Sequence, residues 1–193
     1  MKKVISFLQH VSNGKVVLII FILTNLVYGL ILGYSIPLVL SFAPESMLFD
    51  MSPTGYSYAQ ALELLRSLGA EGRSTYLTVQ IPIDLVYPAM FAASYALLIT
   101  WVLKKFRSKE SKLFSLAFIP MLAGIFDYLE NFGIIAMLTV FPEVPESLVT
   151  TASIFTIVKS VFTTVFFFVL FFSLAALAMS VLKKKQRLTG DKG

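Results

Sequence analysis

Four stretches of this chain are apolar almost without interruption, at residues 16–40, 75–103, 113–140 and 148–182, and polar segments separate them. Crossing a bilayer core of about 30 Å takes about 20 helical residues, so each stretch predicts a membrane-spanning helix. Residues 1–40 open on lysine and run into apolar sequence, as a secretory signal does. That run is longer than an h-region, however, and Ser35-Ile36-Pro37-Leu38 follows where a small-x-small cleavage site would stand. It reads as a retained first span. No solenoid repeat or low-complexity linker interrupts the pattern, so residues 1–182 form one domain, with a solvated basic tail at 183–193.

The connection at 41–74 is longer than a plain loop and carries helical periodicity of its own. Ser57 is placed to cap a helix, with Gln60 three residues on as its capping-box partner. Tyr58, Ala61, Leu62, Leu65 and Leu68 then share one face before Gly69 ends the helix. An amphipathic helix in the first outer loop, lying over the bundle mouth or the membrane interface, is the expectation. Residues 69–76 read as a tight polar turn into the second span, where Arg73 either snorkels or acts as a gate. The predicted fold class is an all-α integral membrane four-helix bundle.

Composition agrees and narrows the function classes. Hydrophobic residues make up 57% of the 193, charged residues 14%, and mean hydropathy is +0.82. Soluble domains are about 25% charged, so a water-soluble enzyme or a nucleic-acid-binding domain is excluded. There is no Cys and one His, His10, which removes disulfides, thiolate or zinc sites and His-based catalysis in the membrane. No metal or cofactor is expected.

The net charge of +5 would fit nucleic acid in a soluble protein, but its placement says otherwise. Of 16 Lys and Arg, all but Arg66, Arg73 and Lys159 lie in three segments: before the first span, between the second and third, and after the fourth. Such clusters flank spans on the cytoplasmic side. Both termini are therefore expected in the cytoplasm, in the plasma membrane or, in a bacterium, the inner membrane. Membrane lipids are the expected partners. Gly29-x-x-x-Gly33 on the first span would let a second helix approach closely, which makes a homodimer an expectation too. The Phe166–Phe172 run reads as lipid-facing or packing bulk.

Four charges stand inside the spans: Asp84, Asp127, Glu130 and Lys159. Each costs at least about 2.5–3.5 kcal/mol at mid-bilayer unless it faces protein or water. At 1.5 Å rise per residue all four fall roughly 13–20 Å below the outer boundary, within reach of one another. Asp127, Glu130 and Asn131 occupy one helical face. Lys159 continues a stripe with Thr156, Ser160 and Thr163; Asp84 continues one with Gln80, Tyr87, Phe91 and Tyr95; Asn25 and Tyr28 are the first span's contribution. Pro88 leaves the carbonyl of Asp84 without its helical donor and kinks the second span there, and Pro120 does the same for Leu116.

Three acids around one Lys leave two to be protonated, paired with Arg73 or matched by a ligand. Such acids suit general acid and base work or proton carriage. Asp84, Glu130 and Asp127 are the candidate catalytic residues; Lys159, Asn131, Tyr87, Tyr95, Asn25, Tyr28 and Arg73 are the candidate ligand-binding residues. The residues leave three functions open: a bundle binding a lipid-like or amphiphilic ligand, with isomerase- or hydrolase-type chemistry as an extension; an ion or proton pathway; and a non-catalytic assembly protein held by its polar network.

The stretch Asp84-Leu-Val-Tyr-Pro-Ala-Met-Phe-Ala-Ala-Ser-Tyr95, with the four-span topology and helical outer loop, resembles the second span of the EXPERA group of sterol isomerases and sigma-2-receptor-like proteins. That resemblance implies a pocket for an amphiphilic, often cationic, lipid-like molecule with Asp84 facing it. The chain departs from the group in having no acid on its first span and in carrying Asp127-Tyr-Leu-Glu130-Asn131. A wider pattern, Gly72-Arg73, Tyr76, Asp84, Pro88 and Asp127-x-x-Glu130-Asn131, is similar to a group of small bacterial membrane proteins, and carries no function over.

Overall fold

A computed structural model describes residues 1–190, and among them every regular element is helical. Four helices are long and apolar enough to cross a membrane: α2 (Gly14–Leu40), α4 (Gly69–Lys104), α5 (Lys112–Val140) and α6, which spans as Glu146–Lys183 and continues to Gly190. The helical continuation covers the start of the segment read as a solvated tail; residues 191–193 lie outside the described residues. The first span packs chiefly on the second, the second on the third and the third on the fourth, which also touches the second.

Small residues set the tightest approaches. A Cβ on Gly124 would stand 2.7 Å from the carbonyl oxygen of Pro88, and one on Gly133 would stand 2.6 Å from the Cβ of Ala152. Spans two and three, and three and four, therefore meet almost backbone to backbone. Gly29 and Gly33 have nothing within 4 Å, so their face of α2 has no neighbour among the described residues.

The helix of the connection between the first two spans forms as the capping chemistry dictates. In α3 (Tyr58–Ser67), the Gln60 backbone N–H donates to Ser57 Oγ at 3.3 Å and the Ser57 N–H to Gln60 Oε1 at 2.8 Å. Ala61, Leu64, Leu65 and Leu68 are buried in a core that includes Val39, Ile134, Met137 and Val149, so the helix closes the mouth of the bundle. The expected turn at residues 69–76 is a correction: Gly69 makes the corner with φ +62° and the chain resumes helix at once through Thr75. Arg73 explains the geometry, since its Nη1 donates to the Leu65 carbonyl at 2.7 Å, satisfying the end of α3, while its guanidinium stacks 4.3 Å from the Phe141 ring.

Three features lay outside the sequence expectations. Lys2–Val11 forms a helix, α1, with Leu8 buried, and Lys104 Nζ donates to the carbonyls of Gln9 (2.6 Å) and Ser12 (3.0 Å) at its end. A cation satisfying terminal carbonyls is favourable on both hydrogen-bond and dipole grounds. The other two are π-helical turns, Ile31–Ser35 in α2 and Tyr76–Gln80 in α4, which pack against each other. Each runs into Ile-Pro, Pro37 or Pro82. A proline ring clashes with the carbonyl four residues back, and the widened turn gives it room.

The kink expected at Pro88 appears as an interruption of α4 between Asp84 and Tyr87. Pro120 differs from expectation. The third span opens with a 3-10 segment, Lys112–Ala117, and Pro120 falls in the first turn of the α-helix proper, where a missing N–H costs nothing. Of the Phe run, Phe166 is fully buried, whereas Phe167, Phe168, Phe171 and Phe172 are exposed.

Candidate functional site

The third and fourth spans hold the centre of the site. Lys159 lies between the two acids of α5: its Nζ is 3.2 Å from Asp127 Oδ1 and is ion-paired with Glu130 Oε2. Glu130 is fully buried and accepts a second bond from Thr156 Oγ1 at 2.8 Å. The i, i+3 spacing on α5 and the 156, 159 spacing on α6 place these groups on facing stripes.

Asn131, also fully buried, lies beside the Asp84 carboxyl, yet neither end of its amide forms a hydrogen bond of ordinary geometry. Buried amides seldom go unpaired, because each such group costs about 1–3 kcal/mol. Asp84 itself is 7% exposed, directly above the break that Pro88 imposes.

A fourth carboxylate reaches the site from a loop, and sequence reasoning missed it. Leu48 and Phe49 are buried and pin the 3-10 turn Phe49–Met51 into the bundle mouth, with the Phe49 ring against Tyr56 and Tyr76 at 4.7 and 6.3 Å between centroids. That turn carries Asp50 inward. Its Oδ2 accepts from Tyr76 Oη at 2.8 Å and from Gln80 Nε2 at 3.3 Å, both on the second π-turn, while Oδ1 is buried without a partner. Burial raises its pKa above the usual aspartate value of 3.8, against the opposing pull of Lys159 and the Tyr76 hydrogen bond. Tyr56 has its phenol pushed upward by burial and by the charge of Glu130, so it stays neutral.

These groups face a cleft with two lobes of about 360 and 280 Å3 that share Tyr28, Asp50, Met51, Tyr87, Asp127 and Lys159. The larger lobe extends to Ser160, Thr163 and Thr164 of α6; the smaller reaches Asp84 and, on α2, Ile31, Leu32 and Ile36. The Tyr28 and Tyr87 rings stack at 5.3 Å across it. Tyr28 and Leu32 are 42% and 46% exposed, so the cleft opens sideways between the first and fourth spans. Toward the basic end, Phe91, Tyr95 and Phe166 pack ring against ring beneath it.

The sequence candidates therefore separate by position. Asp84, Asp127, Lys159, Tyr28 and Tyr87 line the cleft; Glu130 and Asn131 stand behind it. Tyr95 lies in the aromatic floor, Asn25 is exposed and donates to its own helix at Phe21 O (2.7 Å), and Arg73 is committed to the loop corner. Among the described residues, no three His, Asp or Glu converge to hold a metal ion. No family model, curated protein or solved structure matches the chain.

Two outcomes follow from this geometry. Lys159→Met strands two buried carboxylates and should cost about 3–5 kcal/mol, while adding Asp127→Asn and Glu130→Gln recovers much of that loss; thermal unfolding in detergent measures both. Because Asp50 binds its proton more tightly folded than unfolded, its contribution to stability is greatest at low pH and declines as pH rises from about 4 through its elevated pKa. Asp50→Asn should remove that component, so the wild-type melting temperature should fall relative to the variant's between acid and neutral pH.

Proposed function

We propose that this membrane protein binds a lipid-like, amphiphilic molecule whose polar head occupies the acid-lined cleft and whose apolar part passes between the first and fourth spans into the bilayer. The observation that carries the reading is the cleft itself, polar at its base and apolar and exposed at its side. Asp50 and Asp84 are the groups in surplus after Lys159 has paired with Asp127 and Glu130. They suit a head that donates hydrogen bonds or carries positive charge, and Asp84 is the residue positioned for proton transfer should the bound molecule undergo isomerase- or hydrolase-type chemistry. Glu130 holds Lys159 in place.

The competing readings fit less well. A non-catalytic assembly role calls for full internal pairing, whereas Asp50 Oδ1 and Gln80 Oε1 go unpaired. An ion or proton pathway calls for a polar route to both faces, and the aromatic floor of Phe91, Tyr95 and Phe166 stands across it.

Native mass spectrometry of the protein released from its own membranes tests the proposal. Wild type should carry an amphiphile that Asp84→Asn lacks, with the melting temperature of the variant close to that of wild type. An empty wild-type protein together with an unstable Asp84→Asn would favour the assembly role instead.

Orientation belongs to the same proposal: the basic clusters place both termini in the cytoplasm. The chain has no native Cys, so single cysteines report cleanly. Glu45→Cys and Lys109→Cys, both at exposed positions, should react with an impermeant reagent from opposite sides of the membrane, Glu45→Cys from outside. Labelling of both from one side would overturn it.

A further inference from the structure

A second groove runs along the side of the bundle at its basic end, away from the acidic cleft. It lies between the start of α2 and the end of α4, encloses about 310 Å3 and is lined by Gly14, Val17, Leu18, Phe21, Leu98 and Trp101. The lining has no charged group, and Leu18 is 58% exposed, so the groove faces the space that lipid chains fill. A Cβ on Gly14 would stand 3.6 Å from the Trp101 indole nitrogen, so the α2 backbone itself forms this wall of the groove.

Charge decides what covers it. At the rim, Lys105 Nζ sits 4.8 Å from the Trp101 ring centroid, and Lys15, next to Gly14, is exposed. Neighbouring Lys104 is committed to the carbonyls at the end of α1. The ion pairs among the described residues both belong to Lys159, so Lys15 and Lys105 are uncompensated. Residues 1–44 contain no acid and 101–126 contain only Glu110. An apolar floor under two uncompensated cations matches a molecule with a hydrocarbon chain and an anionic head. Tryptophan is also the side chain favoured at this depth of a membrane.

The geometry points to a binding site for one anionic phospholipid, its acyl chain in the groove and its phosphate between Lys15 and Lys105. The site is independent of the acidic cleft, and the failure of either assignment leaves the other standing.

Trp101 is the only tryptophan in the chain and lines the groove, so its fluorescence reads occupancy directly. The full-length protein is reconstituted in vesicles containing brominated phosphatidylglycerol or, at the same mole fraction, brominated phosphatidylcholine. Quenching should favour the anionic lipid by about 25-fold in relative association, and Lys15→Gln or Lys105→Gln should each reduce that preference about fivefold, the contribution of one basic group near an anionic surface. Lys109→Gln, at the same end but outside the groove, should leave it unchanged. Equal quenching by the two lipids, or a preference indifferent to Lys15 and Lys105, would overturn the site in favour of ordinary surrounding lipid. Weak quenching by both that strengthens as the protein is diluted in the membrane would overturn it in favour of a second copy covering the groove.

Discussion

The interaction on which the structure turns is the pairing of Lys159 with Asp127 and Glu130. One ammonium at this depth is costly alone, and opposite charges about 4 Å apart at an effective dielectric near 20 attract by about 4 kcal/mol before desolvation is counted. Two acids one helical turn apart on α5 hold the cation from both sides. That requirement fixes the register of the third and fourth spans, and Gly133 against Ala152 allows the approach it demands. Thr156, one turn from Lys159, completes the shell of Glu130.

Around that fixed pair, the backbone of the first two spans is irregular at one level. The two π-turns abut, and the break between Asp84 and Tyr87 follows within a turn of the second. Proline is the common cause: Pro37, Pro82 and Pro88 each remove a donor and crowd a carbonyl. Local widening re-aims side chains that a regular helix would distribute around its circumference. In the second span it brings Tyr76 and Gln80 to Asp50 and leaves Asp84 on the cleft. Such π-bulges recur at functional sites for this reason.

The spans and their embedded charges were legible because both rest on rules local in sequence. Hydrophobic length marks a span, and a charge inside one has few places to go. The same holds for the capping box at Ser57, a matter of three residues. Asp50 was not legible, because an acid in a polar loop gives no local sign that its segment folds inward; the buried Leu48 and Phe49 beside it were the available signal. The π-turns had a signature in Ser35-Ile36-Pro37 and Gln80-Ile81-Pro82, and α1 in the spacing of Ile5 and Leu8. Arg73 was drawn toward the acids on charge alone, whereas the carbonyl of Leu65 and the ring of Phe141 lie nearer to hand. Tyr95 and Asn25 share a helical face with cleft residues but sit below or outside the cleft, a difference of depth that periodicity does not encode.

Two apolar cores divide the molecule, one at the loop end around α3 and one at the basic end around α1 and the aromatic floor, and Tyr87 packs against both. The acidic cleft lies at their junction. A junction between cores is where polar groups displace the least packing, and the loop-end core supplies what a bare four-helix bundle lacks, a cover that carries a carboxylate of its own. Because α2 packs chiefly on α4 and not on the charged pair of helices, the cover and the ion pair leave one side unclosed. The cleft is therefore bounded on the loop side by Asp50, the carboxylate that the cover brings in, and on its open side by the half-exposed Tyr28, so groups from both sides set its chemistry.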